Sequence, residues 1–325
     1  MYDVVCFGEA MIRFTPNDFE RLEQVVSLRV TVGGSELNAA VGLARLGMRA
    51  AWVSKLTDNG LGRLIANQAR GQGVDTTHVV WTGNHRVGLY FVEPGASPRA
   101  SQVLYDRKGA AIAHFAPADV DWDAILQGAR AFHVSGITPA LSDLARQSTV
   151  AAIAAAKRQG CLVSFDVNFR ARLWTAQAAN ACLSQLMPSV DVLISTSDDL
   201  QIVFGCQGSE EEMARQMKER FGHRVVAMTI RQAPTVLHGF WSSIAVADQV
   251  YKGRVTELEL VDRVGSGDAY TAGFLYGYLT GDVAKAVAYG DAMSVLKHSI
   301  PGDFSYFTAK EVEAVTRTVA TKIQR

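Results

Sequence analysis

The chain has 325 residues, of which 48% are hydrophobic and 20% are charged, and its 32 basic residues balance 32 acidic ones. This composition is typical of a soluble globular protein that is long enough to bury a large core in one or two domains. The zero net charge does not indicate a nucleic-acid or membrane partner, and no apolar run approaches the roughly 20 residues of a membrane span.

The N-terminus and the cysteines indicate where the protein resides. A core strand is predicted already at residues 4–7, with no basic and apolar leader before it, so we expect no signal peptide. The cysteines form no C-x-x-C pair and lie in or near apolar segments, which is typical of reduced thiols in a cytoplasmic protein. They are Cys6, Cys161, Cys182 and Cys206.

The first third of the chain alternates short apolar segments with turn residues. Strands are predicted at 4–7, 11–14, 27–32, 51–55 and 79–81, and helices at 35–46 and 61–71. The pair Gly33 and Gly34 precedes an alanine-rich helix, which indicates that another part of the molecule approaches the backbone closely there.

The next segment predicts a small sheet. Residues 85–92 and 101–105 alternate and are joined by a loop rich in proline and glycine, as in a hairpin. We predict that this hairpin combines with residues 11–32. The predicted domains are a large α/β domain, over 1–10, 33–84 and 111–325, and a small β lid, over 11–32 and 85–110.

From residue 122 onward, strands and helices alternate. Strands are predicted at 131–135, 162–166, 190–194 and 225–230, helices at 142–159, 176–187 and 210–220, and closing helices at 281–297 and 309–323. This order predicts a three-layer, doubly wound α/β fold with a mostly parallel sheet and helices on both faces.

Several polar or small residues follow predicted strands, where open parallel sheets bind ligands. They are Gly8, Asn168, Ser195 and Gly265. The sequence contains no Gly-Lys dipeptide of a P-loop, no H-E-x-x-H and no G-x-S-x-G. The histidines have no metal-binding spacing, and we expect His133 in the core or in a loop.

The most informative stretch runs from Val264 to Gly273, between a predicted strand at 256–261 and a predicted helix at 270–279. Its glycines allow backbone amides to face a ligand, and the helix N-terminus favours an anion. The stretch also contains Asp268. This carboxylate is either a general base beside a site of phosphoryl transfer or an ordinary helix cap.

Two motifs together resemble the signatures of the ribokinase-like (PfkB-type) carbohydrate kinases. They are the Gly-Gly-x-x-x-Asn-x-Ala stretch at 33–40 and the stretch that begins at Asp262. The resemblance covers essentially the whole chain. Within the family, segments 8–14, 105–107, 166–170, 261–265 and 300–303 are most similar to kinases of 2-keto-3-deoxygluconate, a sugar acid.

The resemblance implies transfer of phosphate from ATP, with Mg²⁺, to the terminal (6-) hydroxyl of this acid, giving 2-keto-3-deoxy-6-phosphogluconate. It implies that Asp268 is the base and that the amides of Gly265, Ser266 and Gly267 form an anion hole. The implied substrate residues are Gly34, Asn38, Tyr90, Tyr105, Arg107, Arg170 and Asp303. The implied nucleotide residues are Asn168, Arg170, Arg231, Gly265 and Gly267, and Asp199 would hold Mg²⁺ through water.

Arginines favour a sugar acid, because a guanidinium forms paired hydrogen bonds with a carboxylate. Arg107 and Arg170 are the candidates, although either could be a solvated surface charge. Arg13 stands where many kinases of neutral sugars have Asp, and the sequence assigns it no role. The chain also departs from the family's metal motif at 196–199 and from its glycine-rich nucleotide loop at 231–235.

Other functions stay open at this point. The acceptor could be 2-keto-3-deoxygalactonate, fructose or ribose, or the chain could be a catalytically silent sensor. A Rossmann-type oxidoreductase is disfavoured because Tyr270 replaces the third glycine of the dinucleotide motif. We further expect a homo-oligomer through the lid, with Val87, Leu89 and Val103 on the contact face, and neither a nucleic-acid nor a membrane partner.

Overall fold

The computed structural model describes residues 1–317. Its strands are β1 (Val4–Phe7), β2 (Met11–Thr15), β3 (Arg29–Gly33), β4 (Ala50–Thr57), β5 (Val79–Thr82), β6 (Gly88–Glu93), β7 (Gln102–Asp106), β8 (Ala131–Ser135), β9 (Leu162–Asp166), β10 (Val192–Thr196), β11 (Val225–Gln232), β12 (His238–Val246), β13 (Val250–Lys252) and β14 (Thr256–Glu259).

The helices alternate with these strands along most of the chain. They are α1 (Ser35–Arg45), α2 (Gly60–Gly71), α3 (Trp122–Leu126), α4 (Ile137–Ala140), α5 (Asp143–Arg158), α6 (Ala176–Leu186), α7 (Ser197–Asp199), α8 (Glu210–Phe221), α9 (Ser266–Thr280), α10 (Val283–His298) and α11 (Ala309–Arg317). The segment Leu200–Phe204 is a π-helix. The predicted end of the last helix, at residue 323, lies outside the described residues.

The large sheet has the strand order β13-β12-β11-β10-β9-β8-β1-β4-β5, and β14 also pairs with β12. Strands β11 through β5 in this order are parallel, whereas β12 pairs antiparallel with β11, β13 and β14. The doubly wound α/β prediction is therefore confirmed, but β12 and β13 were not predicted. The serines and glycine of β12 weaken the apolar alternation by which a strand is identified.

Strand β1 shows how the sequence builds the layers. All of its residues are buried, and successive side chains point to opposite faces of the sheet. Val4 and Cys6 join a core with α1, α9 and α10, whereas Val5 and Phe7 join a core with α5, α6 and α8. The resulting molecule has helices on both sides of one sheet.

A separate small sheet has the order β3-β2-β6-β7, which confirms the hairpin and its combination with the early strands. On one face, Tyr90 packs with Met11 and Val92. The predicted contact residues are wrong, because Val87 is buried in the main core, Leu89 packs against that core and Val103 packs against the cluster around Tyr90. The division of the chain into two domains stays a prediction.

Other expectations concern single residues. His133 is fully buried and hydrogen-bonds Ser164 over 3.0 Å, so it is a core residue. The cysteines form no disulfide within the described residues, and Cys182 alone among them is partly exposed. In residues 1–317, no helix combines the length and apolar character needed to cross a membrane.

Candidate active site

Helix α9 begins at Ser266, four positions before the predicted start, so Asp268 lies in its first turn. The preceding Gly265 has φ of +85°, and a Cβ there would lie 2.1 Å from the carbonyl oxygen of Asp303. No side chain caps the helix, so the interpretation of Asp268 as a cap is wrong. Within the described chain, the amides of Gly265 and Gly267 have no hydrogen-bond partner, whereas the Ser266 amide contacts the Arg263 carbonyl oxygen at 3.3 Å.

The carboxylate of Asp268 is held by the early glycine motif. Ser35 Oγ donates to Oδ1 and Asn38 Nδ2 donates to Oδ2, each over 2.7 Å. Asn38 Oδ1 in turn accepts from the Gly34 amide at 3.2 Å, and Asn168 Nδ2 donates to Ser35 Oγ at 3.0 Å. Burial raises the pKa of Asp268, and the hydrogen bonds from Asn38 and Ser35 oppose this increase.

A cavity of about 300 Å³ opens between α1, α9, the carboxyl ends of the large sheet and the small sheet. Of the predicted site residues, only Ser266 does not line it. The lining residues are Gly34, Asn38, Tyr90, Tyr105, Arg107, Asn168, Arg170, Asp199, Arg231, Gly265, Gly267, Asp268 and Asp303. The structure thus brings together residues from both motifs and both sheets, although their roles stay predictions.

The small sheet contributes aromatic groups, one of which contacts a carboxylate from the loop after α10. Tyr90 donates its hydroxyl to Asp303 Oδ2 over 2.6 Å, and its ring stacks on Tyr105 with centroids 5.9 Å apart. Gly33 makes this approach possible, since a Cβ there would lie 2.2 Å from Asp303 Oδ2. The close approach predicted at the glycine pair is confirmed.

Arg13 is buried beneath this group and does not line the cavity. Its guanidinium donates to Asp303 Oδ1 at 2.8 Å and to Asp262 Oδ2 at 2.6 Å. Burial alone would lower the pKa of Arg13, but the carboxylates of Asp303 and Asp262 outweigh burial and raise it. Arg13 therefore holds the carboxylate of Asp303 in place and does not itself reach the cavity.

Arg107 is not a surface charge, because its side chain is only 10% exposed and pairs with Glu9. Sequence reasoning missed Glu9, which follows Gly8 at the end of β1 and lines the cavity. Glu9 Oε1 and Arg107 Nε are buried without partners among the described residues. The ion pair therefore uses only one nitrogen of the guanidinium, Nη2.

Two further carboxylates at the cavity were missed. Glu36 Oε1 accepts from the Ser135 amide and from the hydroxyls of Ser135 and Thr138, each within 2.9 Å. Burial raises the pKa of Glu36 to about 7, although these donors oppose it. Asp166 ends β9, and burial together with Asp268 and Asp199 raises its pKa well above the ordinary value. A carboxylate at the carboxyl end of a parallel strand was the available signal for Asp166.

The part of the cavity next to residues 265–267, a turn that we call the anion turn, carries cationic groups. Arg231 reaches the anion turn, since its Nη2 lies 2.8 Å from the position of a Cβ on Gly267. Arg170 lines the same end, and its charge opposes the raised pKa of Asp199. Residues 1–317 contain no group of three or more His, Cys, Asp or Glu that could hold a metal directly.

This arrangement joins an uncapped helix N-terminus, a reachable carboxylate and arginines in one cavity. The profile described as pfkB family carbohydrate kinase matches residues 1–303, and the chain belongs to this family. The chain is 37% identical to a 2-dehydro-3-deoxygalactonokinase of Haloferax volcanii, over 97% of this chain and 96% of that protein. It is 30% identical to a 5-dehydro-2-deoxygluconokinase of Bacillus subtilis, over 96% and 95%.

A solved structure gives the same result for the fold. The crystal structure of a 2-dehydro-3-deoxygluconokinase from Thermotoga maritima superposes with a TM-score of 0.94. Its sequence is 39% identical, and the match covers 97% of this chain and 98% of that one. The ribokinase-like fold with its small lid sheet is thereby confirmed.

Proposed function

We propose that this carbohydrate kinase transfers the γ-phosphoryl group of ATP to the terminal (6-) hydroxyl of 2-keto-3-deoxygluconate. The observation that carries the proposal is the carboxylate of Asp268, which shares one cavity with the amides of Gly265 and Gly267 and with Arg107. The Thermotoga relative supports the choice of acid, because its crystal structure is described as that of a 2-dehydro-3-deoxygluconokinase.

In this proposal Asp268 accepts the proton of the acceptor hydroxyl as the oxygen attacks phosphorus. Two donors fix the carboxylate, and Asp268 lines the cavity. The amides of Gly265 and Gly267, and of Ser266 if its contact with Arg263 breaks, would stabilise charge on the transferring phosphoryl group. Positioning and electrostatic stabilisation together are the main sources of rate in this chemistry.

The residues at the cationic end fit a nucleotide triphosphate. Asn168, Arg170 and Arg231 line the cavity next to the anion turn, where donors to phosphate oxygens are needed. Asp199 and Asp166 fit a hydrated Mg²⁺, because their carboxylates reach the same space without forming a direct ligand set. When bound, Mg²⁺ would neutralise charge on the β- and γ-phosphates.

The acceptor end fits a hydroxylated acid. Arg107 would bind the carboxylate through N–H groups that Glu9 leaves free, while the Tyr105 ring packs against the face of the guanidinium. Asp303 would accept hydrogen bonds from substrate hydroxyls, with Arg13 and Tyr90 holding its orientation. Tyr90 itself, together with the backbone at Gly34 and the side chain of Asn38, would complete the contact surface.

A second acceptor is favoured by one observation. The Haloferax relative, at 37% identity, is named for the galactonate epimer. We therefore propose 2-keto-3-deoxygalactonate as the alternative substrate. Fructose and ribose are weaker candidates, because the cavity places Arg107 where a neutral sugar offers no charge to pair with it.

The test is ADP release in the presence of Mg²⁺ and ATP across both keto-deoxy acids, fructose and ribose. We expect kcat/KM for one or both acids to exceed that for the neutral sugars by at least about tenfold, the factor that 1.4 kcal/mol represents. Efficient turnover of neutral sugars alone would refute the sugar-acid assignment. Turnover of the galactonate alone would select the alternative.

We also propose that copies of the chain associate through the outer face of the small sheet. A row of apolar residues crosses its strands there in register, of which Phe14 also packs partly against the main core: Val30, Phe14, Phe91 and Leu104. Val30 and Leu104 are 44% and 50% exposed, so the row ends in apolar surface at both sides. This row replaces the contact residues that the sequence predicted.

A further inference from the structure

A buried ammonium group lies next to the active site and has no part in the roles described above. Lys297 belongs to the last turn of α10, and none of its surface is exposed. Its Nζ donates to the Ile300 carbonyl oxygen at 3.2 Å and reaches that of Asp262 at 3.5 Å. A buried lysine is costly unless its charge is compensated, so this position needs an explanation. The nearby C-terminal end of the helix dipole supplies only part of it.

The carbonyl groups that bind Lys297 belong to the segments that build the site. Asp262 precedes the anion turn by three residues, and its side chain accepts from the amides of Val264 and Gly302 at 3.0 and 2.9 Å. Ile300 begins the loop that ends at Asp303, whose backbone touches Gly265. Lys297 therefore connects the segment that presents the anion turn with the segment that presents the acceptor-side carboxylate.

Arg13 pairs with both Asp262 and Asp303, and these carboxylates, together with that of Asp268, also attract the ammonium of Lys297. Burial lowers the pKa of Lys297, and the carboxylates oppose this decrease. Lys297, Arg13, Asp262 and Asp303 form a cluster with no net charge beside Asp268. Without Lys297 the cluster would carry a net negative charge directly behind the place proposed for phosphate. Such a charge would oppose the transfer of an anionic group.

We propose that Lys297 is a positioning residue that acts as a built-in monovalent cation behind the anion turn. An ammonium between backbone carbonyl oxygens has the charge and the ligand type of a bound K⁺ or NH₄⁺. Its effect is to fix the two segments relative to each other and to cancel the excess negative charge. The protein consequently needs no dissolved monovalent cation at this place. The inference rests on the proposed phosphoryl transfer for its reaction.

The experiment compares wild type, Lys297→Met and Lys297→Ala in potassium, ammonium and tetramethylammonium salts. Lys310→Met serves as control, because Lys310 is an exposed lysine on α11. The wild type and the control should have the same kcat in all salts. Lys297→Met, which fills the space without the charge, should lose roughly 10²- to 10³-fold in kcat, comparable to the loss of an oxyanion donor. Its KM for the sugar should change far less.

Recovery of kcat by added cations shows whether Lys297 acts through its positive charge or only through the space that its side chain fills. Lys297→Ala leaves room for an ion, so K⁺ or NH₄⁺ should raise its kcat by about tenfold or more, whereas tetramethylammonium should not. Salt should not rescue Lys297→Met. Circular dichroism and thermal unfolding establish that each variant is folded, and if Lys297→Ala does not fold, the loss of kcat in Lys297→Met decides the matter.

Several results would overturn the inference. They are a wild type that requires K⁺, a folded Lys297→Met with unchanged kcat, and a folded Lys297→Ala that no small cation rescues. A wild type that phosphorylates no sugar of the panel would instead refute the proposed function. The two failures are therefore distinguishable.

Discussion

Replacing Asp268 by Asn tests the chemistry at the centre of the site. The substitution keeps the size of the side chain and removes its capacity to accept a proton. Its carbonyl oxygen can still accept from Asn38 Nδ2, now 2.7 Å from the carboxylate. The new amide can donate to Ser35 Oγ, which turns its own hydrogen away while still accepting from Asn168. The hydrogen-bond network therefore tolerates the change.

The expected loss is large in turnover and small in stability. General-base catalysis contributes roughly 10²- to 10⁴-fold, which corresponds to about 3–5 kcal/mol in the activation free energy. The unfolding free energy should change by only about 1 kcal/mol, because two effects offset each other. The hydrogen bond from Asn38 becomes weaker when its acceptor is neutral, but the cost of partly burying a charged carboxylate is also removed. Binding of ATP and the sugar acid should persist.

Initial rates of ADP release at saturating substrates measure kcat, and urea unfolding measures stability. Ser35→Ala is the matched control, since it leaves the base in place and removes one of its donors. That donor lowers the pKa of Asp268, so its removal should raise this pKa and shift the acid limb of the rate profile to higher pH. Asp268→Asn turnover within about tenfold of wild type would refute the assignment of Asp268 as base.

Further predictions address the acceptor site, a buried carboxyl group and the small sheet. Arg107→Lys keeps a positive charge beside Glu9 but removes the guanidinium fork, so KM for the sugar acid should rise about tenfold in steady-state kinetics, with no comparable change for fructose. An equal effect on both would contradict carboxylate binding. Burial raises the pKa of Glu36 from 4.5 to about 7 in the folded state. Between these pH values the folded protein binds more protons than the unfolded chain, so the unfolding free energy of wild type falls by about 3 kcal/mol as pH rises through this range. Glu36→Gln should lack this pH dependence, so the unfolding free energy of the variant from urea unfolding should rise relative to that of wild type between pH 5 and pH 8. If the unfolding free energies of the two proteins depend on pH in the same way, the raised pKa of Glu36 is contradicted. Leu104→Asp should yield monomers in sedimentation velocity where wild type associates, and a monomeric wild type would exclude the interface.

Local sequence signals predicted most of the architecture. Apolar alternation in β1 and the regular succession of strands and helices predicted the doubly wound sheet, because side-chain periodicity reflects which faces are buried. The glycine motifs identified the turn at Gly265 and the close approach at Gly33. Five of the cavity-lining residues could be named because they belong to those motifs: Gly34, Asn38, Gly265, Gly267 and Asp268. Strand β12 was missed, since its burial depends on neighbours that the segment itself does not contain.

The elements and the two motifs could be predicted because each depends on residues that are adjacent in the chain. The partners of the site residues depend instead on long-range packing. Asn38 lies 230 positions from Asp268, and Arg13 lies 290 positions from Asp303. No local pattern distinguishes an arginine that binds a substrate from one that holds a carboxylate in place. Only the packing of α1, α9 and the small sheet around one cavity shows that Arg13 is buried on Asp303 while Arg107 faces the open space.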